Sequence, residues 1–214
     1  MAAVTIIGAG NMGRGIATRL LAGGADVRIL APDAEKAATL AGELGQGAGG
    51  SVSGAGVAEP LSGEVVVLAT PYEAALEIAD ARGDELAGRV VVDITNPVDW
   101  SSFDRLVTPA DSSAAEEIAK RLPGSPVVKA FNTTFAGTLV DGEVEGAPLD
   151  VLLAGDDGDA KAEVARLVEA GGMRAIDAGP LRRARQLEQL GFLHMALQDA
   201  LGSGYGSGVK FVTP

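Results

Sequence analysis

Short runs of aliphatic and β-branched residues recur along this chain, and the stretches between them carry apolar residues at helical spacing. Alternation of these two periods predicts a parallel sheet whose strands are joined by helices. "AVTII" (3–7) reads as a buried first strand and Asn11 to Ala22 as a helix. "VRIL" (27–30) is the second strand, followed by a helix over Ala34 to Leu44, and the glycine-rich stretch 45–56 reads as a loop holding a short third strand. "VVVLA" (65–69) and "VVVDI" (90–94) read as central strands, separated by a helix that begins near Pro71. A helix at 113–122 and a strand at 126–131 follow, and then a strand–helix–strand unit at 150–155, 159–170 and 173–177. The final helix is predicted over Leu181 to Leu201, with Leu187, Leu190, His194, Leu197 and Leu201 on one stripe.

The pattern amounts to an α/β fold: a Rossmann-type, doubly wound, mostly parallel sheet with a small C-terminal helical extension. No repeat or linker interrupts it, so residues 1–214 are expected to form a single domain, with the strand–helix extension starting near 150. A C-terminal helix this apolar is expected to pack against a second subunit in a two-fold homodimer.

Composition narrows the chemistry. Apolar residues make up 47% of the chain but stay in short runs, well below the roughly 20 residues of a membrane-spanning helix. The start, "AAVTIIGAG", shows neither a basic segment nor a cleavage site, so a cytoplasmic protein is expected by default. The chain has no cysteine, which removes disulfides, thiolate nucleophiles and cysteine-based metal sites. A formal charge of −12 argues against nucleic acid as a partner. The one histidine, His194, sits in an apolar stripe and reads as packed or interfacial, so catalysis by an imidazole is not expected. Neither a nucleophile elbow nor a Walker-type phosphate loop is present. Hydride transfer remains open, because it needs geometry more than acids and bases.

"GAGNMG" (8–13) is G-x-G-x-x-G placed directly after the first strand and opening a helix. In that context the first glycine allows the turn, the second lets the backbone approach a pyrophosphate, and the third lets helix and strand pack. The helix N-terminus would face the phosphates. "LATPYE" (68–73) and "DITNPVDW" (93–100) place prolines just past central strand ends, where ligands of open α/β sheets bind. Asn96 is suited to a nicotinamide ribose or carboxamide, and Trp100 reads as a loop anchor. Lys129, Asn132, Thr133 and Thr134 either solvate a loop or floor a second-substrate site. Arg182, Arg183 and Arg185 either form a solvated face or meet an anionic ligand, the former being the commoner arrangement. At the end of the second strand Ala31 and Pro32 supply no contact for a 2′-phosphate, Asp33 either caps the following helix or accepts from ribose hydroxyls, and Lys36 is the nearby cation.

These motifs, with "TNP", "GDD", "DAGPL" and the terminal "GYGSGVKF", resemble the family of coenzyme F-420 (F420)-dependent NADP oxidoreductases over nearly the whole chain. "VVKAFN" is also similar to the reductase domain of six-transmembrane metalloreductases. The resemblance implies NADP as cofactor, with NAD as an alternative, and F420 as second partner. It implies that Gly8, Gly10, Asn11, Met12 and Gly13 hold the pyrophosphate, and that Lys36 faces the 2′-phosphate. Thr70, Pro71, Asn96 and Pro97 would line the ribose region. Ala130 to Thr134, including Asn132, and the C-terminal glycines would form the deazaflavin side. No residue would act as general acid or base. A flavin or imine reductase, or a dinucleotide sensor without turnover, are the rival readings.

Overall fold

The computed structural model describes residues 3–212. Its first half runs β1 (Ala3–Ile7), α1 (Asn11–Ala22), β2 (Asp26–Ala31), α2 (Ala34–Leu44), β3 (Val52–Gly56), β4 (Val65–Leu68), α3 (Tyr72–Leu86) and β5 (Val90–Asp93). It continues through α4 (Ala114–Arg121), β6 (Val127–Lys129), α5 (Ala136–Asp141) and a small hairpin of β7 (Glu143–Val144) and β8 (Ala147–Pro148). The last part comprises β9 (Asp150–Gly155), α6 (Gly158–Ala170), β10 (Arg174–Gly179), a 3-10 turn at Leu181–Arg183, α7 (Ala184–Ala196) and α8 (Gln198–Leu201).

Eight strands form one sheet in the order β3-β2-β1-β4-β5-β6-β9-β10. The strands from β3 to β6 are parallel, in the doubly wound 3-2-1-4-5-6 arrangement. Alternate residues of each strand feed two different cores. Ile6, Ile29, Val67, Val92 and Val128 face α1, α2, α5 and α6, while Ile7, Leu30, Val66, Val91 and Val127 face α3, α4 and the start of α7. Both faces are covered, which is why these strands read as continuous apolar runs rather than as alternating ones.

The C-terminal unit departs from the parallel pattern. β9 pairs antiparallel with β6, and β10 then runs parallel to β9, so this strand–helix–strand unit is inverted at the sheet edge. The predicted helix over 181–201 is also broken, into the 3-10 turn, α7 and the four-residue α8. At the break, the Gln198 side chain donates back to the His194 carbonyl at 2.7 Å. The expected stripe divides there: Leu187 and His194 are buried, whereas Leu197 and Leu201 are exposed.

Candidate functional site

The carboxyl ends of β1, β4, β5 and β6 open onto one cleft of about 650 Å³. Its first wall is the turn from β1 into α1. Gly8 takes φ +130°, and a Cβ there would collide with the Ala69 carbonyl; a Cβ on Gly13 would collide with the Gly8 carbonyl. These two glycines therefore shape the turn from behind and do not line the cleft. Gly10, Asn11 and Met12 do line it, and open space surrounds the position a Gly10 Cβ would occupy. No side chain caps the N-terminus of α1, nor that of α3, α5 or α7, whereas Asp33, Ser113 and Asp157 cap α2, α4 and α6. The α1 end thus presents amides to the cleft without a side-chain partner.

Thr70 and Pro71 from the β4–α3 turn, and Asn96 and Pro97 beyond β5, form the next walls. Asn132 beyond β6 also lines the cleft, whereas Ala130 is buried beneath it and Lys36 stands exposed outside it. Asp33 caps α2, its Oδ1 accepting from the Lys36 N–H at 3.0 Å.

Asn96 and Asn132 form a reciprocal amide pair. Asn96 Nδ2 donates to the Asn132 carbonyl at 2.7 Å, and Asn132 Nδ2 donates to Asn96 Oδ1 at 2.9 Å and to the Leu187 carbonyl at 2.8 Å. Both protons of the Asn132 amide are committed, so its orientation is fixed, and its Oδ1 is buried without a partner. Thr70 Oγ1 and Thr95 Oγ1, on two other lining residues, are likewise buried and unpartnered. Phe131 holds the β6 exit in a left-handed turn, φ +60°. Such a conformation for a bulky residue is uncommon and concentrates at functional sites.

Lys129 does not join this floor, nor does it solvate a loop. Its ammonium is fully enclosed, 2.8 Å from Asp93 and 2.8 Å from Glu188, and it also donates to the Thr95 carbonyl. Burial alone would lower the lysine pKa, but the two carboxylates hold it above its ordinary value. Glu188 is pushed up by burial, partly countered by Lys129, and it accepts from the Ala114 N–H at the start of α4 at 3.0 Å. Asp93 Oδ1 accepts from the Thr95 N–H at 2.9 Å, so the buried triad ties down the very turn that carries Thr95 and Asn96.

His194 is packed, stacked on Phe135 with ring centroids 4.2 Å apart. Burial lowers its pKa; Nδ1 donates to the Thr133 carbonyl at 3.2 Å, and Nε2 lies 2.9 Å from the Ser207 hydroxyl. Arg185 pairs with Glu116 at 2.6 Å, in keeping with the surface reading of the arginine cluster. Trp100 is not a buried anchor: it is exposed and lines the cleft. Phe135, Met195 and Tyr205, from three separate segments, also line the cleft; Tyr205 falls within the terminal motif "GYGSGVKF", whereas Phe135 and Met195 carried no signal of their own in the sequence. Glu73 is the cleft's one carboxylate, and the Tyr72 phenol is pushed up by burial and by Glu117. Among the described residues no group of His, Cys, Asp and Glu is arranged to hold a metal, and no helix is long and apolar enough to cross a membrane.

A doubly wound sheet whose first strand runs through a glycine-shaped turn into a helix, with a cleft at the carboxyl ends of its strands, is the arrangement of dinucleotide-binding proteins. The family model described as "NADP oxidoreductase coenzyme F420-dependent" matches residues 3–97, from β1 through Pro97. The F420-dependent NADP reductase of Methanothermobacter marburgensis is 36% identical over 195 residues, 86% of either chain. A candidate F420-dependent NADP reductase from Arthrobacter sp. FB24, solved as a crystal structure, superposes with a TM-score of 0.83 at 30% identity, covering 98% of this chain and 99% of that one. The rat metalloreductase STEAP3 is 32% identical over 187 residues, which span 87% of this chain and 36% of that protein. The chain belongs to the F420-dependent NADP oxidoreductase family.

Proposed function

We propose that this protein passes a hydride between NADP(H) and coenzyme F420, holding both in the cleft at the carboxyl ends of β1, β4, β5 and β6. The observation that carries the reading is the set of buried, unpartnered polar atoms on lining residues, Thr70 Oγ1, Thr95 Oγ1 and Asn132 Oδ1, beside an uncapped helix end. Buried polar groups are normally satisfied, and those left over mark places where a polar ligand completes the bonding. The residues present therefore fit a dinucleotide.

In this reading the amides of Gly10, Asn11 and Met12 bind the pyrophosphate, with Gly8 and Gly13 shaping the turn. Thr70, Pro71, Asn96 and Pro97 line the ribose and nicotinamide, and Asn132 meets the far edge of that ring. Lys36, exposed one turn into α2, serves the 2′-phosphate. Ala130 supports the floor from beneath. When bound, the nicotinamide supplies or takes the hydride. The protein's own contribution is to place two planar rings in register and keep water from between them. The lone carboxylate, exposed Glu73, is not required as acid or base.

The whole chain is read as one working body, because the sheet continues without a break from β3 to β10. A homodimer is also part of the proposal. Leu193, Leu197 and Leu201, each 42–56% exposed and spaced four residues apart along the C-terminal segment, suit a two-fold contact. Calorimetric titration with NADPH, on the native chain and on Gly8→Ala, tests the site directly. Binding by the native chain and its loss in the variant are expected; equal binding by both would remove the turn from the site.

A further inference from the structure

Trp100 is the one tryptophan of the chain, and 69% of it is exposed. A ring of that size left in water forgoes much of its hydrophobic stabilisation, so an exposed position on an ordered loop asks for an occupant. The loop is ordered. Val98 and Leu106 form an antiparallel bridge across its base. Within it, Asp99 accepts from the Ser101 N–H at 3.1 Å, the Ser101 hydroxyl at 2.6 Å and Arg105 Nε at 2.9 Å. The Asp99 N–H donates to the Arg105 carbonyl, and the Phe103 N–H donates to the Asp99 carbonyl. Phe103 takes φ +50°, a backbone region that bulky residues rarely enter.

That strained turn sets a ring beneath the tryptophan. The Phe103 ring centroid lies 5.8 Å from Trp100 with the planes inclined by 36°, and Phe192 of α7 meets Phe103 edge-on at 5.4 Å. Trp100 therefore stands on a two-ring base anchored in a helix, and it lines the cleft together with Met195, Phe135 and Tyr205. Tyr205, itself at φ +64°, packs edge-on against Phe135 at 5.0 Å. The cleft is thus of mixed character: the backbone of the glycine turn and the hydroxyls of Thr70 and Thr95 share it with the rings of Trp100, Phe135 and Tyr205 and the Met195 thioether.

The dinucleotide does not account for the aromatic groups. Its adenosine half belongs toward β2, away from the cleft, and its pyrophosphate belongs at the glycine turn. The nicotinamide is met by the strand-end turns at Thr70, Thr95 and Asn132. We propose that Trp100, held by Phe103 and Phe192, is the stacking surface for the second, tricyclic ring of the reaction, the deazaflavin of F420; this rests on the function proposed above. Offset stacking between large planar π systems supplies affinity without ionisable groups, in keeping with the character of the cleft.

The test uses the intact protein and its single tryptophan. Titration with F420 is expected to quench Trp100 emission saturably. Trp100→Ala is expected to raise the KM and the dissociation constant for F420 about tenfold, Trp100→Phe to restore most of the loss, and the NADPH dissociation constant to stay at its native value in both. Because the side chain is largely solvated, neither change threatens the fold. Native F420 affinity in Trp100→Ala would overturn the proposal while leaving hydride exchange intact. Absence of NADPH–F420 exchange in the native protein would instead remove the proposed function, and the role of Trp100 with it.

Discussion

The Lys129 ammonium and the Glu188 carboxylate stand 2.8 Å apart with both side chains wholly enclosed. This contact joins β6 to α7, and the Ala114 N–H brings in α4 through the same carboxylate. With Asp93 as the second carboxylate and the Thr95 carbonyl as a third acceptor, the pair braces the strand ends that bear the cleft.

Lys129→Met is expected to destabilise the fold by about 3–5 kcal/mol, because two carboxylates are left buried without a cation. Glu188→Gln, which keeps shape and one acceptor, should cost less. Urea unfolding of the two variants checks the order. Since Lys129 is held above its ordinary value of 10.5, its contribution is complete below that pH and is lost only as pH rises through the folded value.

The C-terminal segment should come loose in acid. Asp150 holds it by accepting from Lys210 at 2.7 Å and from the Phe211 N–H at 2.8 Å, while pairing with Arg174. Burial raises the Asp150 pKa, but these partners more than reverse it, to about 2 from 3.8. A depressed carboxylate stabilises above its unfolded value and loses that effect as pH falls through the folded one. Protease sensitivity near Lys210 should therefore rise as pH drops from about 4 toward 2, and Asp150→Asn should show it already at neutral pH.

His194 gives a second, milder acid dependence. Its pKa is lowered from 6.5 by burial, so the unfolded chain binds the proton first as pH falls. Stability should decline below the unfolded value and level off below the folded one. Replacement by Phe should remove that step from a series of thermal melts.

Glu73→Gln is expected to leave turnover nearly unchanged. Removal of a working general acid or base costs about 10²-fold or more, so a loss of that size would show that proton transfer by this carboxylate belongs to the reaction.

Ala31→Ser combined with Pro32→Arg should tighten NADPH by about 1–3 kcal/mol, through a charge-assisted bond to the 2′-phosphate. NADH affinity should not follow. Unchanged NADPH binding in a calorimetric comparison would place phosphate recognition elsewhere.

Strands and helices with a strong period were legible in the sequence: β1, α1, α2 and β9 begin and end where the pattern put them. The hairpin of β7 and β8 and the six-residue α5 are too short to carry a period. The reversal of β9 depends on which edge it joins, and nothing within its own residues records that. Lys129 misled because a lysine is rarely buried. A signal was nonetheless present: "VVVD" and "VVK" each end a buried strand in a charge of opposite sign, and Asp93 and Lys129 are register partners. The glycine turn and the prolines after β4 and β5 were visible because that part of the site is local. Met195 reaches the cleft only through tertiary packing, which no nearby pattern announces, whereas Tyr205 lies within the terminal glycine motif.

The most direct measurement mixes the purified protein with NADPH and oxidised F420 under anaerobic conditions and follows both absorbances together. Hydride exchange in this cleft requires F420 to bleach one for one with NADPH oxidation, the nicotinamide giving the hydride and solvent the proton. Tight NADPH binding without any loss of F420 absorbance would contradict it.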